Sequence, residues 1–69
     1  LDPTRLRHAR LERALTQNEL ADMADVHVVT VSRLESGVQA ATPATIRRLS
    51  TALGVQVLDI AAIAEAVAV

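Results

Sequence analysis

Apolar residues recur at helical spacing in four successive stretches of this chain and crowd together in a fifth. The first stretch is opened by Pro3 and Thr4 and runs through Leu6, Ala9, Arg10 and Leu11 to about Arg13. Its polar positions carry Arg5, Arg7, His8, Glu12 and Arg13. In the second, Leu20, Ala21 and Ala24 form a narrow stripe with small residues, which lets a neighbouring helix approach closely. The third has Val31 and Leu34 at i, i+3, with Thr30 one turn before Leu34. Its other side carries Val28, Val29, Ser32, Arg33 and Ser36. Ile46, Leu49 and Leu53 give the fourth its core stripe, with Arg47 and Arg48 outside. From Val55 to Val69 only Gln56, Asp59 and Glu65 are not apolar, and a fifth helix is expected over about 56–67. No segment alternates with period two over a strand's length, although Val55, Val57, Val67 and Val69 are strand-prone. The expected fold class is therefore all-α, one compact five-helix domain over 1–69.

Start and stop signals sharpen these boundaries. Thr16 and Glu19 stand at capping-box spacing, where hydroxyl and carboxylate each satisfy an orphan amide of the first turn. Asp25 falls where the chain must turn; Asp tolerates the left-handed conformation better than most non-glycine residues. Val26 can plug into the core from that turn. Gly37 ends the third helix at a position that favours a residue without a β-carbon. Thr42 followed by Pro43 is an N-cap with proline in the first turn, and Gly54 stops the fourth helix. Residues 16–36 thus read as two short helices joined by a tight turn, the helix-turn-helix arrangement whose second helix can enter the DNA major groove.

Residues from about 4 to 60 resemble the Cro/C1-type (XRE-like) helix-turn-helix family of phage repressors and bacterial regulators. The resemblance is carried by Thr-Gln-x-Glu-Leu-Ala at 16–21, Val-x-x-x-x-Val-Ser-Arg-Leu-Glu-x-Gly at 26–37, Thr-Pro at 42–43 and Ile-x-x-Leu-x-x-x-Leu-Gly-Val at 46–55. It implies a lambda-repressor-like domain with helix 3 in the major groove and helix 2 across the backbone. It also implies that Arg10 and Glu35 form a buried ion pair, as in some phage repressors. The chain departs from the family pattern at Ala14 and Asp25, where glycine is common. It departs again in the loop Val38-Gln39-Ala40-Ala41, which lacks the basic residue that often follows Gly37 to hold phosphate.

Composition bears on partners. A chain of 69 residues can bury only ~60% of its unfolded surface, so stability is expected to be marginal without a partner. There is no cysteine, and no metal-ligand spacing, so disulfides and zinc are not available as staples. With no aromatic residue the chain cannot stack bases as single-strand and RNA binders do. No secretory signal is visible and no apolar run reaches the ~18 residues that span a bilayer, so a membrane partner is not expected and a cytoplasmic location is. The chain begins at Leu1 rather than Met, which leaves a longer protein open. Seven arginines face eight acidic groups, for a net charge of −1. That balance argues for weak non-specific DNA affinity, because phosphate binding draws on basic excess. Distribution matters more: Arg13 and Arg33 fall where the fold can face DNA, whereas Asp2, Asp59 and Glu65 lie near the chain ends.

The expected DNA-binding residues are Gln17, His27, Val28, Val29, Ser32, Arg33 and Ser36. In the family a glutamine at the place of Gln17 touches phosphate and braces helix 3; the alternative is a solvated side chain. Val28 and Val29 could make only apolar contact with thymine methyl groups, and Val28 could instead pack on another protein. Arg33, one turn beyond Val29, can reach guanine in bidentate fashion or a phosphate; its alternative is an intrahelical salt bridge. His27 stands where Ser or Thr is usual before the helix. His8 reads as solvated, no catalytic constellation or metal site is expected, and no cofactor is implied.

The apolar tail carries a second message. An all-round apolar helix needs a second surface to cover it. Val57, Ile60, Ala61 and Ala64 are expected to pack on the domain. Leu58, Ile63 and Val67 would join a partner, unless the tail is only a frayed end. The expected function is sequence-specific binding of double-stranded DNA by a transcriptional regulator, a homodimer through the C-terminal helix. Alternatives are an antitoxin whose tail or a further segment binds a toxin, and an interaction module of the same fold without DNA binding. Enzymatic activity is not expected.

Overall fold

A computed structural model describes residues 1–62. They form four α-helices, α1 Pro3–Glu12, α2 Gln17–Ala24, α3 Val28–Ser36 and α4 Pro43–Leu53, followed by one 3-10 turn, Val57–Asp59. No strand occurs among the described residues. None of their helices is long and apolar enough to cross a membrane.

Local chemistry sets most of these limits. The Asp2 carboxylate accepts from the Thr4 and Arg5 amides at 3.0 and 3.2 Å and so caps α1, which begins at Pro3 as expected. At α2 the capping box is complete: Glu19 N–H donates to Thr16 Oγ1 at 3.0 Å, and Thr16 N–H to Glu19 Oε1 at 2.9 Å. The Glu19 carboxyl is held below its usual range, first by the bond it accepts from the Thr16 amide and next by the nearby Thr16 hydroxyl. Helix α4 is capped by Thr42, whose hydroxyl accepts from Thr45 N–H at 3.3 Å. Two turns run through left-handed backbone without glycine, at Ala14 (φ 53°) and Asp25 (φ 56°). Gly37 closes α3 at φ 77°, a conformation that a β-carbon disfavours.

The core joins all four helices. Leu6, Leu20, Val31, Leu34, Ile46, Leu49 and Ile60 are fully buried, with Ala21, Ala24, Leu53 and Ala61 nearly so. Helix α2 packs on both α3 and α4, α1 packs on α3, and the 3-10 turn packs on α4. Val26 does fill a gap from the α2–α3 turn, partly buried against the core. Leu11 departs from the expected stripe and is 52% exposed.

The tail differs from the expected helix. After Val57–Asp59 the chain leaves helical geometry, and residues 60–62 are not helical. Asp59 turns its carboxylate back to accept the Gln56 amide at 2.9 Å, which closes one tight turn. Ile60 and Ala61 then drop into the core, and the Ile60 carbonyl accepts a hydrogen bond from the Asp2 amide at 2.8 Å. That backbone bond to α1's cap takes a carbonyl which a continuing helix would have used for itself. Val57, Ile60 and Ala61 do pack on the domain and Leu58 is 49% exposed. Ala64, Ile63 and Val67 lie outside the described residues.

Candidate nucleic-acid interface

Helix α3 has two unlike sides. Val31 and Leu34 point into the core at zero exposure. Val29, Ser32, Arg33 and Ser36, spaced i, i+3, i+4, i+7, are all exposed and so share one outward face. Val28 is half-buried and packs on the core instead, because the first turn of α3 starts against the neighbouring helices. Val29, 43% exposed, is therefore the apolar group that this face offers.

The start of the helix is held by His27. Its Nδ1 accepts from the Val29 amide at 3.1 Å, in the place a Ser or Thr hydroxyl commonly fills. An accepting Nδ1 puts the proton of the neutral ring on Nε2.

Three helices meet at one carboxylate. Arg10 on α1 donates from Nε to Glu35 Oε2 at 2.6 Å and from Nη2 to Glu35 Oε1 at 2.9 Å. Its Nη1 donates to the Leu15 carbonyl at 2.8 Å, in the α1–α2 turn. Gln17, at the start of α2, donates from Nε2 to the same Glu35 Oε1 at 3.2 Å. The side chains of Arg10 and Glu35 are 11% and 4% exposed. Burial on its own would lower the Arg10 pKa. The hydrogen bonds to Glu35 outweigh it, with Glu35's charge adding to them, and the guanidinium is held above its ordinary value. The pair is bidentate, and with Gln17 it ties α3 to α1 and α2.

The remaining site residues are less constrained. Arg33 is exposed and its guanidinium has no hydrogen-bond or ion-pair partner among the described residues, so no intrahelical salt bridge holds it. Ser36 donates its hydroxyl to the Arg33 carbonyl at 3.2 Å, and Ser32 is exposed. Arg13 folds back to the Ala9 carbonyl at 3.2 Å. The turn before α3 gains a brace that spacing alone did not reveal: Arg48 of α4 donates to the Asp25 carbonyl at 3.4 Å. No group of His, Asp or Glu suited to a metal ion occurs among the described residues.

The chain matches the family described as Helix-turn-helix over residues 6–60, which takes in the whole two-helix unit and all of α4. Neither the curated proteins nor the solved structures yielded a match. A match across that much of the chain, on a scaffold whose α2–turn–α3 geometry is in place, places the protein in the Cro/C1-type, XRE-like helix-turn-helix family of DNA-binding regulators.

Proposed function

We propose that the protein is a sequence-specific reader of double-stranded DNA that regulates transcription, acting as a homodimer on a two-fold operator. One observation carries the reading: Val29, Ser32, Arg33 and Ser36 stand exposed on one face of a helix whose position is fixed by the Arg10–Glu35–Gln17 network. Arg33 reads guanine or holds a phosphate, Val29 meets thymine methyl groups, and Ser32 and Ser36 supply short polar contacts. Val28 and His27 act from the edge of that face, and Gln17 meets the backbone from the start of α2. Exposed Leu58 supports pairing through the C-terminal segment, with Ile63 and Val67 as further interface residues. Two recognition helices about 34 Å apart would match successive major-groove turns.

A second reading, an antitoxin that binds its own promoter and covers its apolar segment with a toxin, is favoured by the same exposed Leu58. A third, an interaction module that does not bind DNA, draws on the net charge of −1. Binding-site selection from random duplexes, followed by titration across salt, separates the two DNA-binding readings from the third. A DNA reader enriches a two-fold sequence, and its log affinity falls by roughly 0.9 per log salt for each phosphate neutralised. Failure to enrich any sequence and no salt-dependent duplex binding would leave the interaction module.

A further inference from the structure

The seven arginines divide by what holds them. Arg10 is bonded to Glu35, Arg5 lies 3.6 Å from Asp2, and Arg13 and Arg48 donate to backbone carbonyls. Arg7, Arg33 and Arg47 are exposed, and their guanidinium groups have no hydrogen-bond or ion-pair partner among the described residues. Arg33 belongs to the outward face of α3. Arg47 lines a groove between α2 and α4 beside Met23. Arg7 lines a cleft of about 270 Å³ whose other walls are Arg10, Gln17, Ser32, Glu35 and Ser36.

We infer that Arg7 is a further DNA contact, a cation that holds a backbone phosphodiester beside the groove in which α3 lies. The inference rests on the reading of the chain as a duplex-DNA binder. Ser32 and Ser36 are at once walls of this cleft and members of the exposed α3 face, so a duplex seated on that face brings a strand past the cleft. Inside it Arg10 and Glu35 neutralise each other, which leaves Arg7 to set the sign of the charge. A guanidinium offers a planar fork of donors suited to phosphate oxygens, and the Ser32 hydroxyl and Gln17 amide stand on the same cleft. Arg7 is exposed, so it keeps its hydration in the free protein and gives it up only against a phosphate. In a chain of net charge −1 with few unpaired cations, one such contact is a large share of the backbone affinity.

The test is an anisotropy titration of the full chain on its selected operator and on a mixed-sequence duplex, across a range of salt. Arg7→Gln should, for each subunit bound, weaken binding to both by about tenfold near 0.1 M salt and flatten the salt slope by about 0.9, and should leave base preference and melting temperature unchanged. Arg7→Lys should restore the slope, because a point charge suffices for counterion release. Arg47→Gln should leave the slope as it is; an equal loss there would mean that net charge rather than a contact is at work, and would overturn the inference. So would a loss confined to one base position in Arg7→Gln. Wild-type binding with Arg7→Gln unchanged in slope overturns the Arg7 contact alone. A wild-type chain that binds no duplex overturns the DNA reading together with it.

Discussion

Arg10 and Glu35 are joined by two hydrogen bonds, at 2.6 and 2.9 Å, across a sequence separation of 25 residues. Both side chains are almost out of solvent, so neither charge can be rehydrated in place if its partner is lost. Arg10→Met or Glu35→Leu alone should cost about 3–5 kcal/mol, a large fraction of what a domain of this size has. The double substitution should be much milder, because it leaves no buried charge behind. Urea unfolding of the four proteins in a double-mutant cycle reads this directly. Small, additive losses from the two single changes would mean that the pair does not carry the helix contact.

The α1–α2 turn holds an avoidable strain. Ala14 adopts φ 53° and is exposed, so its methyl group gains no packing in return for the left-handed backbone. Ala14→Gly should stabilise the domain by about 1 kcal/mol, or roughly 4–8 °C in Tm for this size. A calorimetric Tm that falls would indicate that the glycine's extra freedom in the unfolded chain outweighs the relieved strain.

Arg33 is the exposed residue best placed to discriminate bases. Arg33→Ala should weaken operator binding by about 1–3 kcal/mol and relax preference at one base pair if it reads guanine. Competition with single-base operator variants checks the position. If Arg33 meets only phosphate, all variants should weaken together and the salt slope should flatten. A folded Arg33→Ala protein with normal operator affinity removes it from the interface.

The α2 cap makes a small part of the stability depend on pH. Glu19 is held below its ordinary carboxyl value by the Thr16 amide and hydroxyl, so its ionised form is favoured in the folded state. The contribution is therefore complete above the usual carboxylate range and is lost as pH falls through the lowered folded value. Melts recorded from neutral to acidic pH should show a smaller decline for Glu19→Gln than for wild type. Identical pH profiles would mean that the carboxylate is not linked to folding.

Leu58 is the described residue that tests the proposed homodimer. It is 49% exposed on a turn whose neighbours Ile60 and Ala61 are buried. Covering its remaining half would contribute about 1 kcal/mol per subunit. Leu58→Asp should shift sedimentation equilibrium towards monomer with little change in monomer stability, and reduce operator binding more than half-site binding. A wild-type protein that stays monomeric at high concentration rules the homodimer out.

What could be read from sequence was mostly local. The Thr16–Glu19 box, Thr42–Pro43, Gly37 and Gly54 act within a turn of themselves, and all four mark real helix ends. The buried stripes of α3 and α4 follow from spacing in the same way. What was missed depends on residues far apart. Apolar composition after Gln56 has no period to say where a helix stops, and the stop comes from Ile60 bonding to Asp2. Val28 sits on the outer side by spacing yet packs inward, and Leu11 does the reverse. At the site, the position of Gln17 suggested a brace, but its sharing of one carboxylate oxygen with Arg10 is tertiary geometry. Arg7 carried no signal at all, since a lone cation on a polar face looks the same whether or not a cleft lies beside it.

The bond from the Asp2 amide to the Ile60 carbonyl gives the two ends of the described chain a common fate. Closing a loop of that span is entropically dearer than closing any cap, so the seam is expected to form late, after the helices it joins. Asp2 also caps α1, and Ile60 plugs the core. Opening the seam therefore unlatches the first helix and uncovers the core in one event. Hydrogen exchange at the start of α1 and at Ile60 should share a single opening free energy, with the domain's two edges behaving as one cooperative unit rather than as two fraying ends.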